Sequence, residues 1–377
     1  MSRRVFWHIG LPKTGTTYLQ GILWDNQEAL RASGLLLPGI GHREHLWAAL
    51  EVQERDMTRR APKAAGAWER VVAEIEAYDG DVLLTHEFFC GATREQAERA
   101  IARLAPAEIH VIVTARHTAA MFTAGWQERV KNGGVADLHA LAASGGDAEF
   151  GWRTWDLGDV LERWTSGLPA DHVHVLPMPG RDEPADRHWQ NFREVLGLPD
   201  VYPAPPTPAN SSLGVVQVEL LRRMNHYLLD ALPHAVDRGV WIRGYLAEEK
   251  LAAQESERFA LPDDLLAECR ARAERAVALV RERGFHVMGD PTSLLVPAHL
   301  PASRQIESVT ESEMLEAAGQ VIAAVMEDHR KQARQLARLR AKEAERASEE
   351  NPDKSVTGGA RRSFGRVWRH APKKRRD

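Results

Sequence analysis

Short apolar runs alternate with segments of helical period from the first residues of the chain, and this alternation limits the fold more than any other feature. RVFWHI at 4–9 reads as a buried strand. Thr16 to Ser33 reads as the helix after it, with Leu19, Ile22, Leu23 and Leu30 on one side and Gly34 placed to stop it. AWERVVAEIEAYDG (67–80) has a helical period and leads into DVLLT (81–85), an apolar run that ends at His86 and Glu87. TREQAERAIARLA (93–105) precedes EIHVIVTA (108–115), the strongest strand signal in the chain, which ends at Arg116. Helices follow over Thr118–Lys131 and Gly158–Thr165, and VHVLPMP (173–179) reads as a further strand. Buried strands joined by helices imply an α/β protein of three layers, αβα, with a central parallel sheet covered on both faces. Ligands of such sheets bind beyond the carboxyl ends of the strands. Gly10, His86 and Arg116 all fall at such ends.

After a proline-rich connection, YPAPPTPANSS (202–212), the chain from Val215 to about Arg283 is mostly helical. It is expected to pack on the sheet and shape the acceptor side of a cleft over about 205–290, and HVMGDPTSLLVP (286–297) closes a domain spanning 1–300. Residues 305–350 carry one long helix as a C-terminal helical extension. Thr310 and Glu313 form a capping-box pattern, and Leu315, Ala318, Ile322, Val325, His329, Gln332, Leu336 and Leu339 follow in three- and four-residue steps. The polar members favour a helix laid against its own domain over an independent coiled coil. A homodimer through this helix is the alternative.

With 377 residues and 44% hydrophobic content the chain can bury a large core, as one large domain or two small ones. The net charge of −4 divides unevenly: 352–377 carries +7 and the other 351 residues −11. The basic tail, 351–377, is expected to be disordered and solvated, with weak contact to an anionic surface as its alternative role; no specific nucleic acid is implied. MSRRVFWHIG leaves no room for a signal peptide's apolar core, no run approaches the length of a membrane span, and Cys90 and Cys269 make no disulfide framework. A cytoplasmic location is the expectation.

The chemistry concentrates in HIGLPKTGTTYLQ, 8–20. Gly10, Gly15 and Thr17 keep the spacing of a phosphate-binding loop, G-x-x-x-x-G-K-[ST], but Lys13 lies inside the loop and Thr16 stands where a nucleotide triphosphatase has its lysine. A strand-to-helix loop still turns several backbone N–H groups and the positive helix end towards one point, which suits phosphate or sulfate. Pro12 stiffens the path, Thr16 and Thr17 add hydroxyl donors, and Lys13 adds a point charge.

PKTGTT resembles the 5′-phosphosulfate loop, P-K-[ST]-G-[ST]-[ST], of the sulfotransferases that use 3′-phosphoadenosine-5′-phosphosulfate (PAPS). It matches at Pro12, Lys13, Thr14, Gly15, Thr16 and Thr17. The resemblance implies a P-loop nucleotide-kinase-like sulfotransferase fold and a sulfuryl transfer from PAPS to a hydroxyl of a carbohydrate, glycolipid or small metabolite. Lys13 would stabilise the charge on the departing phosphate, and no metal would be needed. The family also holds the 3′-phosphate with an arginine at a central strand end and a serine eight residues on. Arg116 fits the first, but the eighth residue is Ala124, and the nearest hydroxyl is that of Thr123.

A base must take the acceptor proton. Cytosolic sulfotransferases carry Thr-His at the corresponding strand end, matching Thr85 and His86, whereas carbohydrate-modifying relatives use a glutamate, matching Glu87. Consecutive strand residues face opposite ways, so one of His86 and Glu87 is expected to serve and the other to orient it or bind acceptor. Trp126, Gln127, Glu128 and Lys131 line the cleft or form a solvated helix face, and Asn210, Ser211 and Ser212 resemble a small polar motif near the nucleotide in some relatives. His42 and His45 lack a neighbouring ligand set and read as surface histidines, so no metal is assigned. The rival readings are a catalytically inactive nucleotide-binding or scaffold protein and an ATP-dependent kinase of similar fold.

Overall fold

Val5, Phe6 and Trp7 lose all but about 1% of their surface to neighbours, which is what a strand buried on both faces requires. The computed structural model describes residues 4–57, 62–144, 151–180, 182–200 and 212–350, with side chains as far as 346. Its described strands are β1 (Arg4–His8), β2 (Leu35–Leu36), β3 (Asp81–Thr85), β4 (Glu108–Ala115), β5 (Val173–Pro177) and β6 (His286–Val287). They form one all-parallel sheet in the order β2-β3-β1-β4-β5-β6.

The helices are α1 (Thr16–Asp25), α2 (Gln27–Ala32), α3 (His42–Val52), α4 (Ala67–Glu76), α5 (Arg94–Arg103), α6 (Thr118–Lys131) and α7 (Leu138–Ala143). They continue with α8 (Trp152–Trp155), α9 (Leu157–Trp164), α10 (Arg187–Val195), α11 (Val215–Ala231), α12 (Ala235–Asp237), α13 (Asp263–Arg283) and α14 (Glu311–Glu350). A π-helical stretch, Arg238–Leu251, follows α12. Phe6, Leu83, Ile112 and Leu176 meet Leu19 and Ile22 of α1 and Trp189 and Phe192 of α10 on one face of the sheet. Trp7 points to the other face, where its ring packs against Trp68, Phe89 and Trp164. Large aromatic rings dominate the burial there.

The connection from β1 travels to one edge of the sheet, whereas those leaving β3 and β4 travel towards the other. With right-handed crossovers, α1 therefore lies on one face and α5 and α6 on the opposite face. The chain leaving β1 parts from both neighbours, and it is at such a parting, beyond the carboxyl ends of the strands, that open parallel sheets bind ligands.

Several expectations need correction. The helix read over Thr16 to Ser33 is two helices: Asn26 (φ −113°) bonds the Ile22 carbonyl through Nδ2 at 2.8 Å and ends α1, and α2 starts again at Gln27. Gly34 (φ 91°) then turns the chain into β2. His45 is not a surface residue: it is buried in α3, bonding the Pro38 carbonyl at 2.9 Å and accepting the Thr85 N–H at 3.1 Å. Burial pushes its pKa down to about 4, so it is neutral.

The chain divides into two compact units, Met1–Ala318 and Gly319–Asp377. In α14 the expected Thr310–Glu313 capping box forms, with both reciprocal hydrogen bonds. Met314 and Ala317 are buried, while Leu315, Ile322, Val325, Leu336 and Leu339 are exposed. Asn210, Ser211 and the basic tail 351–377 lie outside the described residues. Among the described residues no helix is long and apolar enough to cross a membrane.

Candidate anion-binding site

A chain of buried hydrogen bonds fastens the loop after β1 to both neighbouring strands. Thr14 Oγ1 donates to the Leu11 carbonyl at 2.5 Å and lies 2.8 Å from Thr114 Oγ1. Since the Thr14 proton is used, Thr114 donates to Thr14 and must accept from His8 Nε2 at 3.1 Å. His8 Nδ1 is then an acceptor, for the Thr85 hydroxyl at 2.8 Å. This ordering keeps His8 neutral and leaves no member unsatisfied. Burial drives its pKa down to about 3, with repulsion from His188 and His86 adding to the effect. Gly10 sits in the middle of this chain: a Cβ there would come within 2.9 Å of His8 Nε2 and Thr114 Oγ1.

The loop backbone is bonded outward as well, Leu11 N–H to the Thr114 carbonyl at 2.9 Å, and the next strand end joins through His86 N–H to the His8 carbonyl at 3.1 Å. Loop 10–15, His86 and Arg116 therefore share one end of the sheet. Lys13 has φ 67°, the left-handed region, and Gly15 has φ 77°. Gly15 precedes α1, whose start has no side-chain cap and no acidic residue in its first turn. The first N–H groups of a helix have no intrahelical partner, so those of Thr16 and Thr17 are suited to an anion. Thr17 is exposed and Thr16 is buried. The Thr14 hydroxyl is committed to the loop's own scaffold, so Thr14 could serve a ligand only through its backbone.

Lys13 Nζ donates to Glu128 Oε2 of α6 at 2.9 Å. Glu128 is buried and also meets Arg243 of the π-helical stretch at 2.7 Å and Asn132 Nδ2 at 3.0 Å. Burial alone would raise its pKa, but Lys13, Arg243 and Asn132 outweigh it and hold the carboxyl below the usual range. Lys131, one turn along α6, is buried 4.0 Å from Glu248 and its pKa is lowered by burial. The residues read as a cleft lining or a solvated face thus form a buried charge cluster beside the loop. Gln127 instead bonds the Leu213 carbonyl, and Trp126 the Ala136 carbonyl.

The strand argument for choosing between His86 and Glu87 does not hold, because β3 stops at Thr85 and a 3-10 turn, Glu87–Gly91, begins immediately. The turn brings the two side chains to one side, His86 Nδ1 3.7 Å from Glu87 Oε2. His86 caps that turn by accepting the Phe88 N–H on Nδ1 at 3.1 Å. A neutral imidazole bonded this way carries its proton on Nε2, so it presents a donor rather than a base. Burial lowers the His86 pKa, against the opposing pull of Glu87, which favours that neutral form. Glu87 accepts from Gln20 of α1 at 3.1 Å and keeps lone pairs for a proton.

Arg116 is exposed directly after β4, and His117 caps α6 by accepting the Ala120 N–H at 3.2 Å. The Thr123 hydroxyl donates back to the Ala119 and Ala120 carbonyls of its own helix, so it must rotate to serve a phosphate. His188 of α10 escaped the sequence reading. Its ring lies where a Cβ on Gly15 would come within 3.0 Å, it is 6% exposed, and neither ring nitrogen has a hydrogen-bond partner. Burial pushes its pKa down to about 4; the adjacent Thr14 backbone works the other way without reaching hydrogen-bond geometry. A buried ring with no side-chain partner among the described residues offers polar capacity beside a phosphate-type loop.

No family model, no curated protein and no solved structure matches this chain.

Proposed function

We propose that this chain is a sulfotransferase that moves a sulfuryl group from PAPS to a hydroxyl of a carbohydrate, glycolipid or small metabolite, on a P-loop nucleotide-kinase-like variant of the parallel-sheet fold. The observation that carries the reading is Lys13, inside a Gly10–Gly15 loop at the carboxyl end of the central strand, with Thr16 in the slot a kinase would give to lysine. The fit of an anionic nucleotide rests on the uncapped start of α1 and the unpartnered His188 ring beside Gly15.

In this reading Lys13 leaves Glu128 for the phosphosulfate, and Arg243 and Asn132 keep the buried carboxylate compensated when it does. Lys13 and the N–H groups of Thr16 and Thr17 stabilise charge on the departing phosphate. Glu87 takes the acceptor proton, and His86 orients the acceptor through Nε2–H. Arg116 holds the 3′-phosphate, with Thr123 beside it once its hydroxyl turns. Most of the acceleration comes from alignment and charge stabilisation, with no metal in the transfer step.

A second reading, a catalytically inactive nucleotide-binding or scaffold protein, draws on Ala124 and on the inward hydrogen bonds of Thr123. Calorimetry separates the possibilities. A sulfotransferase binds 3′,5′-diphosphoadenosine without metal, in preference to ATP, and binds it more weakly in Lys13→Ala and Arg116→Ala. Preference for magnesium-ATP would favour the kinase, and failure of the wild type to bind either would favour the scaffold.

A further inference from the structure

The opposite end of the sheet carries a second cluster that the loop chemistry does not use. Glu108 and His110 open β4, His172 stands in the turn before β5, His174 follows inside β5, and His286 opens β6 directly across from His174. His110 Nε2 is 2.7 Å from Glu108 Oε1, and His172 Nε2 is 3.5 Å from the same oxygen. The His110 and His172 rings stack with centroids 4.3 Å apart, which brings both Nε2 atoms to the carboxylate. Behind them His110 Nδ1 meets His174 Nε2 at 3.1 Å, and His174 Nδ1 meets His286 Nδ1 at 2.9 Å.

Hydrogen bonding alone accounts for part of this. With one proton per ring, His286 can donate to His174, His174 to His110, and His110 to Glu108. His172 is left over: at 3.5 Å it is too far from Glu108 for a strong hydrogen bond, yet its Nε2 neighbours the same oxygen. A cation between Glu108, His110 and His172 would give His172 the partner that hydrogen bonding does not.

We propose that Glu108, His110 and His172 form a binding site for a divalent transition-metal ion of the zinc type, with His174 and His286 as its outer support. Two imidazoles and one carboxylate are a common donor set for such ions, and the nitrogen donors argue against calcium or magnesium. Glu108 and His172 are partly open to solvent, which allows entry and leaves room for water ligands. When an ion takes His110 Nε2, the ring proton moves to Nδ1 and donates to His174, the outer partnership that metal-bound histidines need. Each ring must turn slightly out of the stack to aim its lone pair.

Strand rise separates Glu108 from Arg116 by roughly 25 Å, so the ion acts as a clasp between β4 and the turn into β5 and takes no part in chemistry at the loop. The site stands independently of the sulfotransferase reading.

The test uses tag-free full-length protein stripped with chelator, titrated with Zn2+ by calorimetry and with Co2+ by visible absorption. The expected result is one ion per chain, the absorption of a four- or five-coordinate Co2+ centre, and a melting temperature raised by Zn2+. Binding should weaken at least tenfold in His172→Ala and in Glu108→Gln, and by about 10–100-fold in His174→Gln. His139→Ala, which alters an exposed histidine paired with Asp264, should bind as the wild type does. Absence of binding, or binding unchanged in both His172→Ala and Glu108→Gln, would overturn the proposal. His172 lies in a partly exposed turn, so its variant keeps the test valid if Glu108→Gln does not fold.

Discussion

Lys13 holds a left-handed backbone conformation that costs a non-glycine residue about 1–3 kcal/mol and persists where the surroundings impose it. Its ammonium is held by Glu128, so the free protein stores the loop's charge against a carboxylate that has other partners. Lys13→Ala should therefore weaken 3′,5′-diphosphoadenosine by the worth of a charged hydrogen bond, about 1.5–3 kcal/mol or roughly 10- to 150-fold, in a metal-free titration. His188 predicts a split of opposite sign. Its ring is buried with no side-chain partner among the described residues, and replacing such a group by an apolar one is neutral or stabilising. His188→Leu should melt at the same or a higher temperature yet bind the nucleotide more weakly; a lower melting temperature with unchanged binding would make His188 an ordinary core residue. The two residues also show what the sequence could disclose. Lys13 was legible because its loop is contiguous, with spacing that carries its own chemistry. His188 was not, because only the packing of α10 brings it over Gly15 from more than 170 positions away.

At the scale of elements, β3, β4 and α6 are bounded where the apolar runs and helical periods predict, because each is long enough for its pattern to outweigh local noise. The two-residue strands β2 and β6 are too short to carry a period, and they exist only through pairing with β3 and β5. The break at Asn26 depends on one side-chain amide capturing a carbonyl. His110, His172 and His174 look unrelated in sequence and meet only across the β4–β5 pair, so no spacing in the sequence marks them. Thr93 is a cleaner case: it caps α5 with a full capping box to Gln96. Thr93→Ala should lower stability by about 0.5–2 kcal/mol in urea titration, with no change in nucleotide binding.

Taken whole, the molecule ties its candidate site to its stability through histidines kept neutral. His8 joins β3, β1, β4 and the loop, and its pKa is pushed down to about 3; His45 secures α3 against β3 at about 4. Both have folded pKa values below the ordinary 6.5, so in the window between, the unfolded chain binds protons that the folded chain refuses. Stability is then fully present above about pH 6.5 and falls as pH drops through that value towards 4 and 3. Carboxylates with lowered pKa values, such as Glu128, add their loss only at lower pH, starting as pH falls through the ordinary carboxylate range. Urea titrations at pH 7.5, 6.5 and 5.5 should thus show a decline that begins above the range in which carboxylates of lowered pKa titrate. His8→Gln should flatten that decline while lowering stability at pH 7.5, because an amide cannot reproduce both threonine bonds. A wild-type curve flat from pH 7.5 to 5.5 would show that the buried histidines are not held neutral by the fold. A decline unchanged in His8→Gln would move its origin to the other buried histidines.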